Sequence, residues 1–214
     1  MTESSLPELP ASARLRAREL LQRSGRALLG LVGPPGAGKS TLAAALQAEF
    51  ASVAQVVPMD GFHLANVELE RLGRRDRKGA PDTFDSAGYV ALLRRLLVQS
   101  DDEIVYAPEF RREIEEPVAN AIPVFARTQL VITEGNYLLL EDGPWAHVKD
   151  LLDEIWYVDV DDSLRVGRLT KRHEQFGRSA EEAAAWVAGT DEPNARLIEA
   201  SRARASFVFR WNDE

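Results

Sequence analysis

The sequence contains no cysteine among its 214 residues, so it forms no disulfide, no cysteine-ligated zinc site and no thiol nucleophile. It has no apolar run near the roughly 18 residues that a membrane span requires, and its opening residues, 1–10, are polar and acidic. We therefore expect a cytoplasmic protein without a membrane partner. It also lacks excess positive charge: 26 Lys and Arg against 34 Asp and Glu give a net charge of −8. This balance argues against general nucleic-acid binding, so any anionic ligand must meet a local basic site.

What the sequence does contain is an alternation of short apolar runs and longer helical patterns, in a chain that is 45% hydrophobic. The region 60–85 is interpreted as a loop. Strands that alternate with helices predict an α/β fold of three layers, α/β/α, around a mostly parallel sheet, with ligands bound beyond the carboxyl ends of its strands. Helices are predicted at 11–24, 39–50, 87–99, 161–177, 179–189 and 192–205, and strands at 26–33, 54–59, 103–107, 128–135 and 153–160, with a last apolar run at 206–211.

Residues 33–41 read GPPGAGKST and match the phosphate-binding pattern GxxxxGKS without a mismatch. The segment lies between a predicted buried strand and a predicted Ala/Leu-rich helix, which is the context that the pattern requires. In such a P-loop the backbone N–H groups point at phosphate oxygens, Lys39 reaches the β and γ phosphates, and Ser40 can hold Mg²⁺. We expect ATP and Mg²⁺ as cofactors, bound by Gly33, Pro34, Pro35, Gly36, Ala37, Gly38, Lys39, Ser40 and Thr41.

Two carboxylates follow predicted strands. Asp60 ends the strand that comes after the P-loop helix, and Glu134 ends the apolar run 128–135. Both are expected at the sheet edge where phosphates bind. One could accept the proton of an attacking hydroxyl, and both could help to hold Mg²⁺ directly or through water.

Three arginines, Arg165, Arg168 and Arg172, recur at offsets of three and four in the predicted helix 161–177. This spacing places them on one helix face, where they could fold over a transferring phosphoryl group and stabilise its charge. Arg168 and Arg172 are the preferred pair.

A P-loop alone does not distinguish a kinase from a GTPase switch, a motor or a transporter ATPase. No NKxD guanine motif is present, and no strand leads into the DxxG match at 85–88. Two alternatives to a small-molecule kinase stay open. One is an NTPase or nucleotide-sensing protein without an acceptor. The other is a nucleotide kinase, for which Arg74, Arg75, Arg77 and Lys78 could supply a basic acceptor pocket.

The segments GPPGAGKST, MDGFHLAN, RKGAPDTFD, ITEGNYLLL and RLTKRHEQFG, in this order, resemble the P-loop kinases that include uridine kinase, phosphoribulokinase and bacterial pantothenate kinase. Within that superfamily the chain looks closest to small bacterial nucleoside or sugar kinase-like proteins, some of them fructose-transport-associated. The resemblance spans about 26–200. It implies a single nucleoside-kinase-like domain over 1–214, with an N-terminal helical extension at 1–25 and a helical lid at about 161–190.

The resemblance implies an ATP-dependent phosphotransferase that acts on a hydroxyl of a small molecule, such as a nucleoside, a pantothenate-like compound, a sugar or a polyol. Asp60 is then the base, Glu134 the Mg²⁺ or acceptor partner, and the helix with Arg168 and Arg172 the lid; Lys39 completes the catalytic set. A homodimer is one of the assemblies left open. The residues proposed to line the acceptor pocket are His63, Tyr106, Arg111 and Tyr137, and Asn194 is placed near the nucleotide base or at a helix start.

The chain departs from its relatives at several positions. Uridine kinases carry Ser and Tyr at the positions of Gly61 and His63, relatives often have Asp at the position of Phe110, and many have Asp at that of Ser206. The resemblance therefore supports the type of reaction more strongly than the identity of the acceptor.

Overall fold

The structure is a computed structural model that describes residues 6–211, so the first five residues of the predicted N-terminal extension lie outside it. Short 3₁₀ turns connect several elements, and a π-helical stretch, Val187–Asp191, joins the sixth helix to the seventh. In chain order the helices and strands are α1 (Ala11–Leu21), β1 (Ala27–Val32), α2 (Lys39–Glu49), β2 (Ala54–Pro58), α3 (Asn66–Arg71), α4 (Ser86–Leu97), β3 (Ile104–Arg111), β4 (Glu116–Phe125), β5 (Leu130–Gly135), β6 (Glu154–Val158), α5 (Asp162–Gln175), α6 (Ala180–Trp186), α7 (Glu192–Ala200) and β7 (Phe207–Phe209).

The central sheet has five strands in the order β2-β5-β1-β6-β7, and all neighbouring pairs are parallel. Every residue of β1 and of β5 is buried, as expected for continuous apolar strands covered on both faces. Because the strands are parallel, the carboxyl ends of β1, β2 and β5 lie at one edge. The P-loop, Asp60 and Glu134 therefore lie at that edge of the sheet.

Two hydrophobic cores cover the two faces of the sheet. On one face, Leu20 of α1 and Leu46 of α2 pack against the sheet around Trp156. On the other, Tyr89 of α4 and Ile198 of α7 belong to the second core. The predicted three-layer α/β/α architecture with a mostly parallel sheet is confirmed.

The prediction of a short strand at 103–107 within the strand-helix alternation was wrong in two respects. Strand β3 is longer, and it pairs with β4 in a separate antiparallel hairpin instead of joining the central sheet. The β4 strand was missed because it contains Pro117 and Pro123, which are tolerated here since each strand of a two-stranded ribbon has a free edge.

The interpretation of 60–85 as a loop was also incomplete. Helix α3 and three 3₁₀ turns lie in or overlap this region, and a β-bridge between His63 and Phe84 closes it. None of the helices within 6–211 combines the length and the apolar character needed to cross a bilayer.

Candidate active site

The P-loop connects the end of β1 to the start of α2. Gly36 and Gly38 have φ values of 81° and 93°, in the left-handed region that favours glycine, and Gly38 caps the helix without a side chain. A Cβ at Gly33 would lie only 2.8 Å from the carbonyl oxygen of Val158 in the neighbouring strand β6. The glycines therefore permit a tight loop at a helix N-terminus, an arrangement suited to binding phosphate.

Lys39 is buried at the base of this loop. Its ammonium donates to the carbonyl oxygens of Gly33 (2.9 Å) and Pro34 (3.1 Å) and to Oδ1 of Asn136 (2.8 Å). Burial lowers the pKa of Lys39 to about 8, although the carboxylates of Glu134 and Asp60 act in the opposite direction. A bound anion would favour the charged form, so the loop holds a lysine whose protonation depends on its ligand.

Glu134 and Ser40 form the second part of the site. The Ser40 hydroxyl donates to Oε1 of Glu134 at 3.0 Å, and Glu134 is buried at the end of β5. Burial, followed by repulsion from Asp60, raises the pKa of Glu134 above its ordinary value. A cation bound next to this carboxylate would offset both effects and keep it ionised.

These donors fit a magnesium ion. A hydroxyl and a carboxylate are oxygen ligands, and Mg²⁺ is commonly held by one or two carboxylates while phosphates and water complete its shell. Within 6–211, no cluster of three or more His, Asp or Glu residues could enclose a metal by itself. Ser40 and Glu134 are therefore the residues that would hold Mg²⁺ against a bound nucleotide.

Asp60 lies in the 3₁₀ turn directly after β2, facing the same cleft. Nη2 of Arg112 lies 3.4 Å from its Oδ2, and Nδ1 of His63 lies 2.7 Å from its backbone oxygen. The His63 ring contacts those of Phe84 and Phe110 in tilted arrangements, with centroid distances of 4.0 and 4.6 Å and interplanar angles of 42° and 40°. These contacts help to hold His63 beside Asp60.

Helix α5 packs directly on the P-loop. A Cβ at Gly36 would lie 2.9 Å from Cγ of Leu169 and 3.0 Å from the backbone oxygen of Arg165. Arg168 and Arg172 line the cleft. Burial, with Arg112 next, lowers the pKa of Arg172, while Asp191, Asp60 and Glu134 act to raise it.

Unlike Arg168 and Arg172, Arg165 does not line the cleft. Its side chain is 1% exposed, and its Nη2 pairs with Glu192 at 2.5 Å and with Asp162 at 3.1 Å. The hypothesis of a three-arginine stripe over phosphate therefore reduces to Arg168 and Arg172. Arg165 instead ties the start of α5 to the start of α7.

One cleft of about 1030 Å³ brings most of the predicted residues together. Three proposed acceptor residues are not among those that line it. Tyr106 is half exposed beside Phe62 on the other side of the hairpin, Arg111 is exposed and pairs with Glu109, and Tyr137 is fully buried with its hydroxyl donating to the backbone oxygen of Gly79. The predicted residues in the cleft wall are Pro35, Gly36, Gly38, Lys39, Ser40, Thr41, Asp60, His63, Arg75, Lys78, Glu134, Arg168, Arg172 and Asn194.

The hairpin explains why Tyr106 and Arg111 were misplaced. Side chains alternate along a strand, so Phe110 faces the cleft and Arg111 faces away, and Arg112 takes the position expected for Arg111. A bulge between Ala107 and Glu109 shifts the alternation, which separates Tyr106 from Phe110. The bulge is not visible in the sequence.

Sequence reasoning missed two residues at the reacting edge. Asn136 accepts from Lys39, and Arg112 contacts Asp60. Asn136 could have been found, since it follows a predicted strand end by one residue. At Ser206, where many relatives have Asp, the hydroxyl oxygen accepts the backbone N–H of Ile155, a structural role.

The fold and the site together define a P-loop kinase, because two strand-end carboxylates from β5 and β2, on one side of the P-loop strand β1, share a cleft with the phosphate loop and with two arginines of α5. Comparison with known proteins narrows this class. A Schizosaccharomyces pombe protein named "Putative uridine kinase C227.14" is 35% identical over 206 residues, which cover 91% of this chain and 87% of that protein. The chain belongs to this uridine-kinase-like family of P-loop kinases, as the resemblance predicted.

Solved structures agree with this assignment. A structure described as a "putative fructose transport system kinase", from Silicibacter sp. TM1040, has a TM-score of 0.82 at 38% identity and covers 94% of this chain and 99% of its own. The structure of YFH7 from Saccharomyces cerevisiae has a TM-score of 0.78 at 20% identity, covers 96% of this chain and all (100%) of its own, and shares the fold.

One family model, described as "Methylmalonyl Co-A mutase-associated GTPase MeaB", matches residues 1–59. This segment contains α1, β1, the P-loop, α2 and β2 and ends just before Asp60. Phosphate loops recur in proteins of many functions, so the match concerns the nucleotide-binding part of the chain.

Proposed function

We propose that this protein is an ATP-dependent phosphotransferase that transfers the γ-phosphoryl group to a hydroxyl of a small molecule. One observation carries the proposal: Asp60, in the turn at the carboxyl end of β2, lines the same cleft as Lys39, Ser40 and Glu134. A carboxylate so placed can accept a proton from a hydroxyl that lies in line with the γ phosphate.

In this mechanism the loop 33–41 binds the phosphates of ATP through the backbone N–H groups of its non-proline residues, and Lys39 donates to the β and γ phosphates. The acceptor hydroxyl donates to Asp60. As its oxygen bonds to the γ phosphorus, the bond from that phosphorus to the ADP oxygen breaks and Asp60 takes the proton. Mg²⁺, held by Ser40 and Glu134, would supply charge neutralisation on the phosphate oxygens when bound.

We further propose that 1–214 form one domain in which 161–190 act as a lid. The contact of α5 with Gly36 supports this, because a helix already seated on the P-loop needs only a small movement to place Arg168 and Arg172 over a phosphoryl group. These two cations would stabilise charge that develops during transfer.

An ADP-release screen with MgATP across nucleosides, sugars, polyols and pantothenate tests the proposal. We expect release that depends on one acceptor class, and a loss of roughly 10²- to 10⁴-fold in turnover for Asp60→Asn, with ATP affinity kept. The matched control is Asp150→Asn, at an exposed position outside the cleft, which should behave as wild type.

Acceptor-independent ADP release at an unchanged rate would support a nucleotide-sensing NTPase instead. Phosphorylation of a phosphate group, with no reaction at a hydroxyl, would support a nucleotide kinase. Wild-type turnover in Asp60→Asn would remove Asp60 from the mechanism.

A further inference from the structure

In addition to Asp60, the cleft is lined by Lys78, whose ammonium group is not neutralised by a carboxylate at close range. Nζ of Lys78 donates to Oδ1 of Asn66 at 2.8 Å and to the backbone oxygen of Glu115. Both partners are neutral, and across 6–211 the lysine forms no ion pair within 4.0 Å. An ammonium has three N–H donors, so one remains for a ligand in the cleft that Lys78 lines.

The nearby acids do not cancel this charge. Both carboxylate oxygens of Glu116 accept the backbone N–H of Asn66, and the side chain of Glu115 is exposed to solvent, which screens it. Lys78 itself is half-buried, and burial lowers its pKa, although Glu115 and Glu116 act to raise it. A partly desolvated cation with neutral partners is an unfavourable arrangement that a bound anion would relieve.

Lys78 differs in this respect from the other cations of its segment. Arg74 and Arg77 both pair with Asp82, and Arg75 pairs with Glu70. Each of these three arginines is therefore paired with a carboxylate. Among the four cations of this segment, Lys78 is the one whose charge is available to an anionic ligand.

The same part of the cleft also provides an acceptor for a hydroxyl. The backbone oxygen of Asp60 can only accept, so Nδ1 of His63 carries the proton of that hydrogen bond. In the neutral ring, with this proton on Nδ1, Nε2 is an acceptor. Phe110 contacts both groups: its ring centroid lies 4.6 Å from that of His63 and 5.0 Å from Nζ of Lys78.

We propose that the acceptor is a small hydroxy compound with an anionic group, carboxylate or phosphate, which binds to Lys78. His63 accepts a hydrogen bond from one of its hydroxyls, and Asp60 accepts the proton of the hydroxyl that is phosphorylated. This inference rests on the proposed function and adds to it the chemical class of the acceptor.

Matched pairs of acceptors that differ in charge test it. Each neutral compound is compared with its anionic counterpart in acceptor-dependent ADP release: ribitol with ribonate and ribitol 5-phosphate, fructose with fructose 6-phosphate, uridine with uridine 5′-monophosphate, and panthenol with pantothenate. We expect kcat/KM to be at least tenfold higher for an anionic member, and the carboxylate and phosphate arms distinguish the two anions. Equal rates, or preference for neutral members, would overturn the inference while leaving the proposed function intact.

The variant Lys78→Gln should raise KM for the anionic acceptor roughly 10- to 100-fold with kcat nearly kept, and should leave the neutral counterpart almost unaffected. Lys78→Arg, which keeps the charge, should recover most of this loss, and Lys149→Gln, at an exposed site outside the cleft, is the matched control. An equal loss for charged and neutral acceptors would show that Lys78 serves only to hold Asn66 and Glu115 in place. If no hydroxyl compound of either charge stimulates ADP release, the proposed function fails, and this inference fails with it.

Discussion

At the scale of single residues, the site is a set of charges whose protonation is adjusted by burial. Lys39 is 7% exposed and Glu134 is 6% exposed, and each carries a pKa displaced toward its neutral form. The two groups stabilise one another's charge, and Asp60 adds a negative charge to the pair. Such a site suits a ligand that contains both anionic phosphates and a cation, because the phosphates favour charged Lys39 and the cation favours ionised Glu134.

Proton uptake on nucleotide binding follows from the depressed pKa of Lys39. Because the phosphates favour the ammonium form, they should raise this pKa from about 8, and the protein should take up a proton when ATP binds near pH 8.5. Apparent affinity should therefore fall as the pH rises above 8. Calorimetric titration in buffers of different ionisation enthalpy measures the uptake directly.

The Lys39→Arg variant provides the control, since a guanidinium does not titrate in this range. Equal proton uptake by wild type and Lys39→Arg would assign the effect to another group. No uptake in wild type would show that Lys39 is already fully protonated in the free protein.

At the scale of elements, α5 performs two tasks with arginines about two turns apart. Arg165 is buried and fixes the start of the helix to α7 through Glu192, whereas Arg172 reaches the cleft. Asp161 caps the helix by accepting the backbone N–H groups of Ser163 and Leu164. The helix is thus anchored at its first turn, and its second half lies over the site.

This division predicts separate effects of two substitutions. Arg165→Met should lower the free energy of unfolding by about 1–3 kcal/mol, because it leaves the half-buried Glu192 without its partner. Arg172→Met should instead reduce turnover roughly 10²- to 10³-fold with little change in stability. Urea unfolding and steady-state kinetics on both proteins distinguish the two roles.

Arg196→Met, at an exposed position of α7 outside the cleft, should match wild type in both measurements. If Arg172→Met destabilised the protein as much as Arg165→Met while turning over normally, Arg172 would be another structural residue.

At the scale of the whole molecule, the central sheet and its helices follow from local patterns that agree with one another. The apolar strands, the P-loop and the strand-end acids could be located in the sequence because a parallel sheet brings its carboxyl ends to one edge. The placement of Lys39, Ser40 and Glu134 together at this edge, the proposed nucleotide half of the site, was therefore predictable. This half depends on single strands and the turns that follow them.

The acceptor half was not predictable in the same way. It depends on the β3–β4 hairpin, whose proline-containing strand and bulge conceal which side chains face the cleft. Lys78, predicted only as one of four basic candidates for an acceptor pocket, and Asn66 come from the region interpreted as a loop, and Tyr137 is buried with its hydroxyl bonded to the backbone of Gly79. Contacts between segments far apart in the chain determine which of these side chains face the cleft, and no periodic pattern in the sequence indicates such contacts.

The central claim is that the γ-phosphoryl group passes to an acceptor hydroxyl and not to water. The most direct test is to run the reaction in ¹⁸O-labelled water with MgATP and the acceptor identified by the ADP-release screen, and to analyse the products by mass spectrometry. We predict a phosphate monoester of the acceptor that contains no ¹⁸O, formed in proportion to ADP and abolished in Asp60→Asn. Inorganic phosphate labelled with ¹⁸O, without any monoester, would contradict the account.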